Sequence, residues 1–120
     1  MPLHGLRILV VDDYEALRFL KCLLLNKTGA EVLEAATGAE ACRVAEKEAI
    51  DLTLMDINLP DMSGPEAVHA MRALPGLSAV KAIYTSASEL NQELQPGELF
   101  LQEPLDRQML TDAVRKLTGR

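Results

Sequence analysis

Carboxylates follow two apolar runs of this sequence and could together bind a divalent cation. Asp56 ends the run Leu52–Met55 and precedes a loop that contains proline and glycine, while Asp12 and Asp13 follow the run Arg7–Val11. In open α/β sheets, ligands bind at the carboxyl ends of the strands. Carboxylate oxygens are the hard ligands that Mg²⁺ and Ca²⁺ prefer. Three carboxylates at two strand ends therefore indicate a divalent cation site.

Apolar runs alternate with amphipathic stretches along the chain, a pattern typical of βαβ units and a parallel sheet. The predicted strands cover residues 7–11, 31–35, 51–56, 80–85 and 99–102. The predicted helices cover residues 14–27, 38–48, 64–73 and 105–118, with one weak segment at 88–95. That segment can form at most two turns, because Asn91, Pro96 and Gly97 disfavour a long helix.

Capping signals support these helix boundaries. A hydroxyl followed three residues later by a glutamate forms a capping box, in which both side chains satisfy free backbone donors. Asp106 can cap the last helix, and Gly119 can end it. The two capping boxes are Thr37-x-x-Glu40 and Ser63-x-x-Glu66.

Size and charge favour one acidic domain over residues 1–120. The chain has 48% hydrophobic residues and a formal net charge of −6, which argues against binding nucleic acid directly. Cys22 and Cys42 fall in predicted helices and are expected to be reduced packing residues, as in the cytoplasm. No long apolar stretch predicts a membrane span. Proteins are therefore the expected partners.

Four segments together resemble the receiver domain of two-component response regulators, over nearly the whole chain. Ile8–Asp13 resembles the acidic pair after the first strand of that family, and Leu54–Gly64 resembles its phosphoacceptor loop. Ser86-Ala87 resembles its hydroxyl-plus-small-residue step, and Glu103-Pro104 stands where the family has Lys-Pro. The resemblance implies a flavodoxin-like, doubly wound five-stranded parallel sheet of order 2-1-3-4-5. The helix before the fifth strand would be shortened or irregular.

The resemblance also implies that Asp56 accepts a phosphoryl group from a phosphohistidine on a histidine kinase or phosphotransfer protein. A carboxylate attacks a phosphoryl group poorly unless a cation neutralises the charge on the phosphoryl oxygens. Mg²⁺ is the expected cofactor. Asp13, Asp56 and the backbone carbonyl of Asn58 would be its ligands, with Asp12 acting directly or through water. Catalysis would be limited to the domain's own phosphotransfer and dephosphorylation.

Two further positions could couple phosphorylation to a structural change. Ser86 is the expected hydrogen-bond donor to the phosphoryl group, with Thr85 as the alternative. Because side chains alternate along a strand, only one of these hydroxyls is expected to face the site. Phe100 lies where the family often has an aromatic switch residue, although a buried core position is the other interpretation.

Glu103 departs from the family pattern, in which the lysine at this position contacts the phosphoryl group. Two like charges about 4 Å apart repel by about 4 kcal/mol at an effective dielectric constant of about 20. Glu103 must therefore point away from Asp56, be protonated or help to hold a cation. Lys81 is no obvious replacement, because it begins the preceding strand.

Ser86-Ala87, together with Glu-Pro in place of Lys-Pro, resembles receivers embedded in hybrid sensor kinases. The short, helix-poor stretch before strand five predicts a remodelled face around that strand, so a monomer or a weak dimer is expected. A pseudo-receiver that binds proteins without phosphorylation is the alternative function. A Mg²⁺-dependent phosphatase ranks last, because such enzymes usually carry an acid/base carboxylate two residues after the nucleophile, where this chain has Asn58.

Overall fold

Five parallel strands form one sheet in the computed structural model, which describes residues 1–120. The sheet order is β2-β1-β3-β4-β5, which confirms the predicted order. Every predicted strand, and every helix other than the weak segment, lies within two residues of its predicted bounds. The strands are β1 Arg7–Val11, β2 Glu31–Ala35, β3 Leu52–Asp56, β4 Lys81–Ser86 and β5 Glu98–Gln102. The helices are α1 Glu15–Asn26, α2 Gly38–Lys47, α3 Gly64–Arg72 and α4 Arg107–Thr118.

The helices cover both faces of the sheet, and each face has its own hydrophobic core. Val11 and Met55 belong to the core against α2 and α3, whereas Val10 and Leu54 belong to the core against α1 and α4. Strands β1 and β3 are buried on both faces because they lie inside the sheet. Polar residues that follow these strands can therefore meet ligands only at the carboxyl edge. No helix is long and apolar enough to cross a lipid bilayer.

The predicted N-cap residues cap their helices, but only one of the two predicted capping boxes is complete, since Glu40 accepts from the backbone N–H of Ala36 and not from that of Thr37. The hydroxyls of Thr37 and Ser63 each accept a hydrogen bond from the backbone three residues later, and Ser63 forms the full capping box. Asp106 accepts from the backbone N–H of Met109, and Gly119 ends α4 in the left-handed conformation with φ 75°. Both cysteines are free thiols.

The connection between β4 and β5 contains no helix, so the prediction of a weak helical segment at 88–95 is wrong. Residues 87–97 instead form an irregular segment. Its side chains are mostly polar, and Pro96 and Gly97 interrupt it near its end. It therefore offers too little apolar surface to stabilise helical turns against β4 and β5. The irregular connection itself agrees with the sequence expectation.

A buried carboxylate anchors the end of this connection. Glu98 accepts hydrogen bonds from Arg72 at 2.6 Å, from the Tyr84 hydroxyl at 3.2 Å and from the backbone N–H of Gln95 at 2.9 Å. Its side chain is only 4% exposed. These contacts join α3, β4 and the irregular segment. They therefore stabilise this connection in the absence of a packed helix.

We expect Glu98→Ala to lower the free energy of unfolding by about 3 kcal/mol, because it leaves Arg72 and the Tyr84 hydroxyl without their partner in a mostly buried place. Urea denaturation followed by circular dichroism measures this change. Glu93→Ala is the matched control, since Glu93 is exposed in the same segment, and should change stability by no more than about 0.5 kcal/mol. Equal stability of the two variants would contradict this account of Glu98.

Candidate functional site

The three predicted metal-binding carboxylates meet at the carboxyl edge of the sheet. β1 and β3 are hydrogen-bonded neighbours in which Val11 pairs with Met55, so the residues that follow are brought together. One oxygen from each of Asp12, Asp13 and Asp56 lies within 4.8 Å of the others. Only Asp12 is buried, whereas Asp13 is exposed. Three hard oxygen donors this close suit a small divalent cation.

Asp56 is half-buried and holds its proton more tightly than an ordinary aspartate. Burial raises the pKa of Asp56 to about 6, and the hydrogen bond from the Asn58 backbone N–H only partly opposes this. The negative charges of Asp12 and Glu103 raise the pKa of Asp56 further, while the charge of Lys21 lowers it. The Asn58 N–H donates to Oδ1 of Asp56 at 3.1 Å, which leaves Oδ2 free for chemistry.

Gly64, the first residue of α3, and Asp61, in the loop after β3, make contacts that shape the chain next to Asp56. A Cβ atom at Gly64 would collide with the backbone carbonyl oxygen of Asp56, so glycine permits this close approach. Asp61 accepts hydrogen bonds from the backbone N–H groups of Gly38 and Ala39, each at 2.9 Å. These bonds lower the pKa of Asp61 and fasten the loop to the start of α2.

A buried lysine that the sequence analysis did not identify lies at the edge of this acidic cluster. The Nζ atom of Lys21, from α1, is 2.7 Å from Oδ2 of Asp12 and 3.0 Å from Oγ1 of Thr85. It is also 2.7 Å from Oε2 of Glu103. Burial alone would lower the pKa of Lys21, but the hydrogen bond to Asp12 and the pairing with Glu103 outweigh it, and the pKa is raised. The ammonium is therefore charged at neutral pH.

The spacing of α1 held a signal for this lysine. Lys21 lies four residues after Leu17 and four before Leu25, which places it on the stripe that faces the sheet. A charged residue on such a stripe needs a partner. Glu103 carries a negative charge that is stabilised by a nearby cation, and it is one of the residues that pair with Lys21.

The structure shows what Glu103 does: it points inward and pairs with an ammonium. This is the third of the alternatives left open by the sequence. Oε2 of Glu103 is buried and lies at ion-pair distance from Lys21, but it accepts no hydrogen bond of good geometry. Lys-Pro receivers have a lysine immediately after β5. In this chain that position is the carboxylate Glu103, and the lysine comes from α1 instead.

The two candidate hydroxyls on β4 have different surroundings. Thr85 is fully buried, and its hydroxyl oxygen accepts from Lys21. The Ser86 hydroxyl accepts from the backbone N–H of Ser88 at 3.1 Å. Phe100 pairs with Tyr84 across the sheet and packs against the core beside α2 and α3. Phe100 is partly buried; its role as a switch or as a core residue and the choice of hydroxyl stay predictions.

Comparisons with known proteins agree with this geometry. A family model described as the response regulator receiver domain matches residues 8–115. Sensor protein GacS of Pseudomonas syringae pv. syringae is 37% identical over 123 aligned positions, and the alignment covers 94% of this chain and 13% of that protein. Sporulation initiation phosphotransferase F of Bacillus subtilis (strain 168) is 33% identical over 114 residues, which cover 92% of this chain and 91% of that protein.

A solved structure shares the fold and holds a metal at its active site. It is the receiver domain of sensor histidine kinase PA1611 from Pseudomonas aeruginosa PAO1, with a magnesium ion coordinated in the active site cleft. The TM-score between this chain and that receiver domain is 0.86 at 27% sequence identity, and the match covers 97% of this chain and 99% of the other. The chain spans only about a tenth of the length of the sensor proteins that it matches.

Proposed function

This chain belongs to the family of response regulator receiver domains, and we propose that Asp56 accepts a phosphoryl group in a Mg²⁺-dependent transfer from a phosphohistidine. The observation that carries the proposal is the meeting of Asp12, Asp13 and Asp56 within 4.8 Å at the carboxyl edge of the sheet. The donor would be a histidine kinase or a histidine phosphotransfer domain. In a longer hybrid kinase, that donor would be a neighbouring domain.

The acceptor oxygen follows from the hydrogen bonds of Asp56. Oδ1 is held by the Asn58 N–H, so Oδ2 is the oxygen that attacks phosphorus. The new O–P bond forms as the P–N bond of the donor breaks. The imidazole leaves with the electron pair and takes a proton from solvent. The product is an aspartyl phosphate on Asp56.

The donor set fits Mg²⁺, which when bound would neutralise charge on the phosphoryl oxygens. Asp13, Asp56 and the Asn58 carbonyl are the expected direct ligands, and no other group of the protein donates to that carbonyl. Both carboxylate oxygens of Asp12 already accept hydrogen bonds, from the Tyr14 N–H at 2.9 Å and from Lys21 at 2.7 Å. This supports an indirect role for Asp12, through a water molecule.

The alternative function is a pseudo-receiver that recognises partner proteins without phosphorylation, and Glu103 was its main support. The ion pair with Lys21 weakens that support, because the negative charge of Glu103 is balanced within the site. The two functions differ in one measurable respect. A pseudo-receiver binds its partner equally well as wild type and as Asp56→Ala, whereas a phosphorylatable receiver changes partner affinity on phosphorylation.

Intact-mass spectrometry after incubation with phosphoramidate tests the proposed function. We expect one phosphoryl group to be added in the presence of Mg²⁺ and none after the metal is removed with EDTA. Because burial raises the pKa of Asp56 to about 6, acidification below that pH protonates a ligand. The Mg²⁺ affinity should then fall by about tenfold per pH unit. No adduct with phosphoramidate or with a phosphorylated histidine phosphotransfer protein would contradict the proposed function.

A further inference from the structure

We propose that Lys21 is the cation that contacts the transferred phosphoryl group, and that Glu103 holds its ammonium in position. The inference rests on the proposed function and names a residue that would take part in it. Lys21 lies on α1, away from the usual strand position for this role, and was found through its contacts at the acidic cluster.

The position of Lys21 is the first argument. Its ammonium contacts residues at the carboxyl ends of three strands: Asp12 after β1, Thr85 in β4 and Glu103 after β5. Thr85 pairs with Asp56 across the sheet. The ammonium therefore lies in the same cluster as the acceptor, and its positive charge lowers the pKa of Asp56.

The donors of Lys21 are the second argument. An ammonium has three N–H groups, and two of them donate to Asp12 and Thr85. The remaining neighbour of Nζ is Oε2 of Glu103, which lies 2.7 Å away but accepts no hydrogen bond of good geometry. One N–H group of Lys21 is therefore without a well-formed hydrogen bond. A small rotation of the lysine side chain would direct this N–H group to a phosphoryl oxygen.

The balance of charge is the third argument. Asp12, Asp13, Asp56 and Glu103 contribute four carboxylates to this edge of the sheet, and an incoming phosphoryl group adds more negative charge. Phosphoryl transfer depends on cationic groups that stabilise charge on the transferred oxygens. Lys21 is the buried cation here. It donates a hydrogen bond and keeps its proton, so the transfer step on Asp56 remains balanced without it.

Two other basic residues, Arg18 and Lys81, have other partners or lie at another part of the sheet. Arg18 donates from Nε to Glu34 of β2 at 3.0 Å and from a terminal nitrogen to the backbone carbonyl of Asp12 at 2.8 Å, so its guanidinium is already paired with these two groups. Lys81 begins β4, at the opposite edge of the sheet from the acidic cluster. Neither residue is placed to replace Lys21.

Initial rates of phosphorylation by phosphoramidate with saturating Mg²⁺ test this inference. Lys21→Met alone would leave the buried Asp12 and the partly buried Glu103 without a cation and could prevent folding. The test variant is therefore Lys21→Met/Glu103→Gln, which also removes the charge of Glu103. Asp12 then remains as the one uncompensated carboxylate of this pair, keeps its hydrogen bond from the Tyr14 N–H, and lies where saturating Mg²⁺ would supply positive charge. We expect this double variant to fold, to bind Mg²⁺ measured by calorimetry, and to be phosphorylated about 100-fold more slowly than wild type.

The rescue variant is Lys21→Met/Glu103→Lys, which returns a cation to the site from the strand side. We expect it to recover most of the lost rate. Lys27→Met is the matched control, because Lys27 is exposed at the end of α1, and it should be phosphorylated at the wild-type rate.

Two results would overturn the inference while leaving the proposed function intact. One is a wild-type rate in Lys21→Met/Glu103→Gln. The other is a loss of rate that Lys21→Met/Glu103→Lys does not recover, since a structural effect would then explain the loss. A wild-type protein that accepts no phosphoryl group from either phosphoramidate or a phosphohistidine protein would instead defeat the proposed function, and this inference with it.

Discussion

Asp56→Asn is expected to abolish the phosphoryl adduct, because the amide oxygen and nitrogen of asparagine cannot form the acyl phosphate. Intact-mass spectrometry with phosphoramidate and Mg²⁺ measures the loss. The matched control is Asp112→Asn, since Asp112 is an exposed carboxylate on α4 and lies outside the acidic cluster. This control should be phosphorylated as wild type is. A full adduct on Asp56→Asn would place the acceptor on another residue.

A stability measurement on the same variant shows that the loss is chemical. Without metal, burial raises the pKa of Asp56 from 3.8 to about 6. A carboxyl group whose pKa is higher in the folded than in the unfolded state favours folding at low pH, and that contribution is lost as the pH rises through 6. At pH 8 the ionised group disfavours folding, by about 1 kcal/mol after allowance for screening at this half-buried position. Asp56→Asn should therefore be slightly more stable than the metal-free wild type.

Glu103→Lys is expected to lower the free energy of unfolding by about 3 kcal/mol. In the wild type, Oε2 of Glu103 lies 2.7 Å from Nζ of Lys21, and the Lys21 side chain is only 4% exposed. The substitution replaces this attraction with two ammonium groups that share one buried place. Domains of this size have a total stability of about 5 to 15 kcal/mol, so the loss should be plain in urea denaturation.

A double-mutant cycle separates this electrostatic effect from a general intolerance of lysine at position 103. Lys21→Met/Glu103→Lys removes the second ammonium and should recover most of the stability lost in Glu103→Lys. Glu93→Lys reverses a charge at an exposed position and should change stability by no more than about 0.5 kcal/mol. If the single and double variants lost the same stability, the ion pair would not be the cause.

The parts of this structure that could be predicted are those set by local pattern. Apolar runs specify the strands, and Thr37, Ser63 and Asp106 specify the starts of three helices through bonds within a few residues. The aspartates at strand ends predict the acidic cluster, because parallel strands bring their carboxyl ends to one edge. The order of the strands came from the family resemblance, since no local pattern encodes which strands are neighbours.

The parts that could not be predicted depend on long-range contacts. Lys21 and Glu103 are far apart in the sequence, and their pairing depends on how α1 crosses the sheet. The inward orientation of Glu103 follows from that pairing alone. In residues 87–97, the polar side chains, Pro96 and Gly97 argued against a long helix, but the contacts of Glu98 with Arg72 and Tyr84 that hold the end of this segment could not be read from the sequence.

The exchanged charges of Lys21 and Glu103 also limit how such a site can evolve. Changing only Glu103 to lysine produces two like charges, and changing only Lys21 to an apolar residue leaves two buried carboxylates without a cation. Either single step passes through a less stable protein. The lysine-on-strand and lysine-on-helix arrangements are therefore separated by an epistatic barrier. The two positions are therefore expected to change together, so a relative with a lysine at position 103 should lack the lysine at position 21.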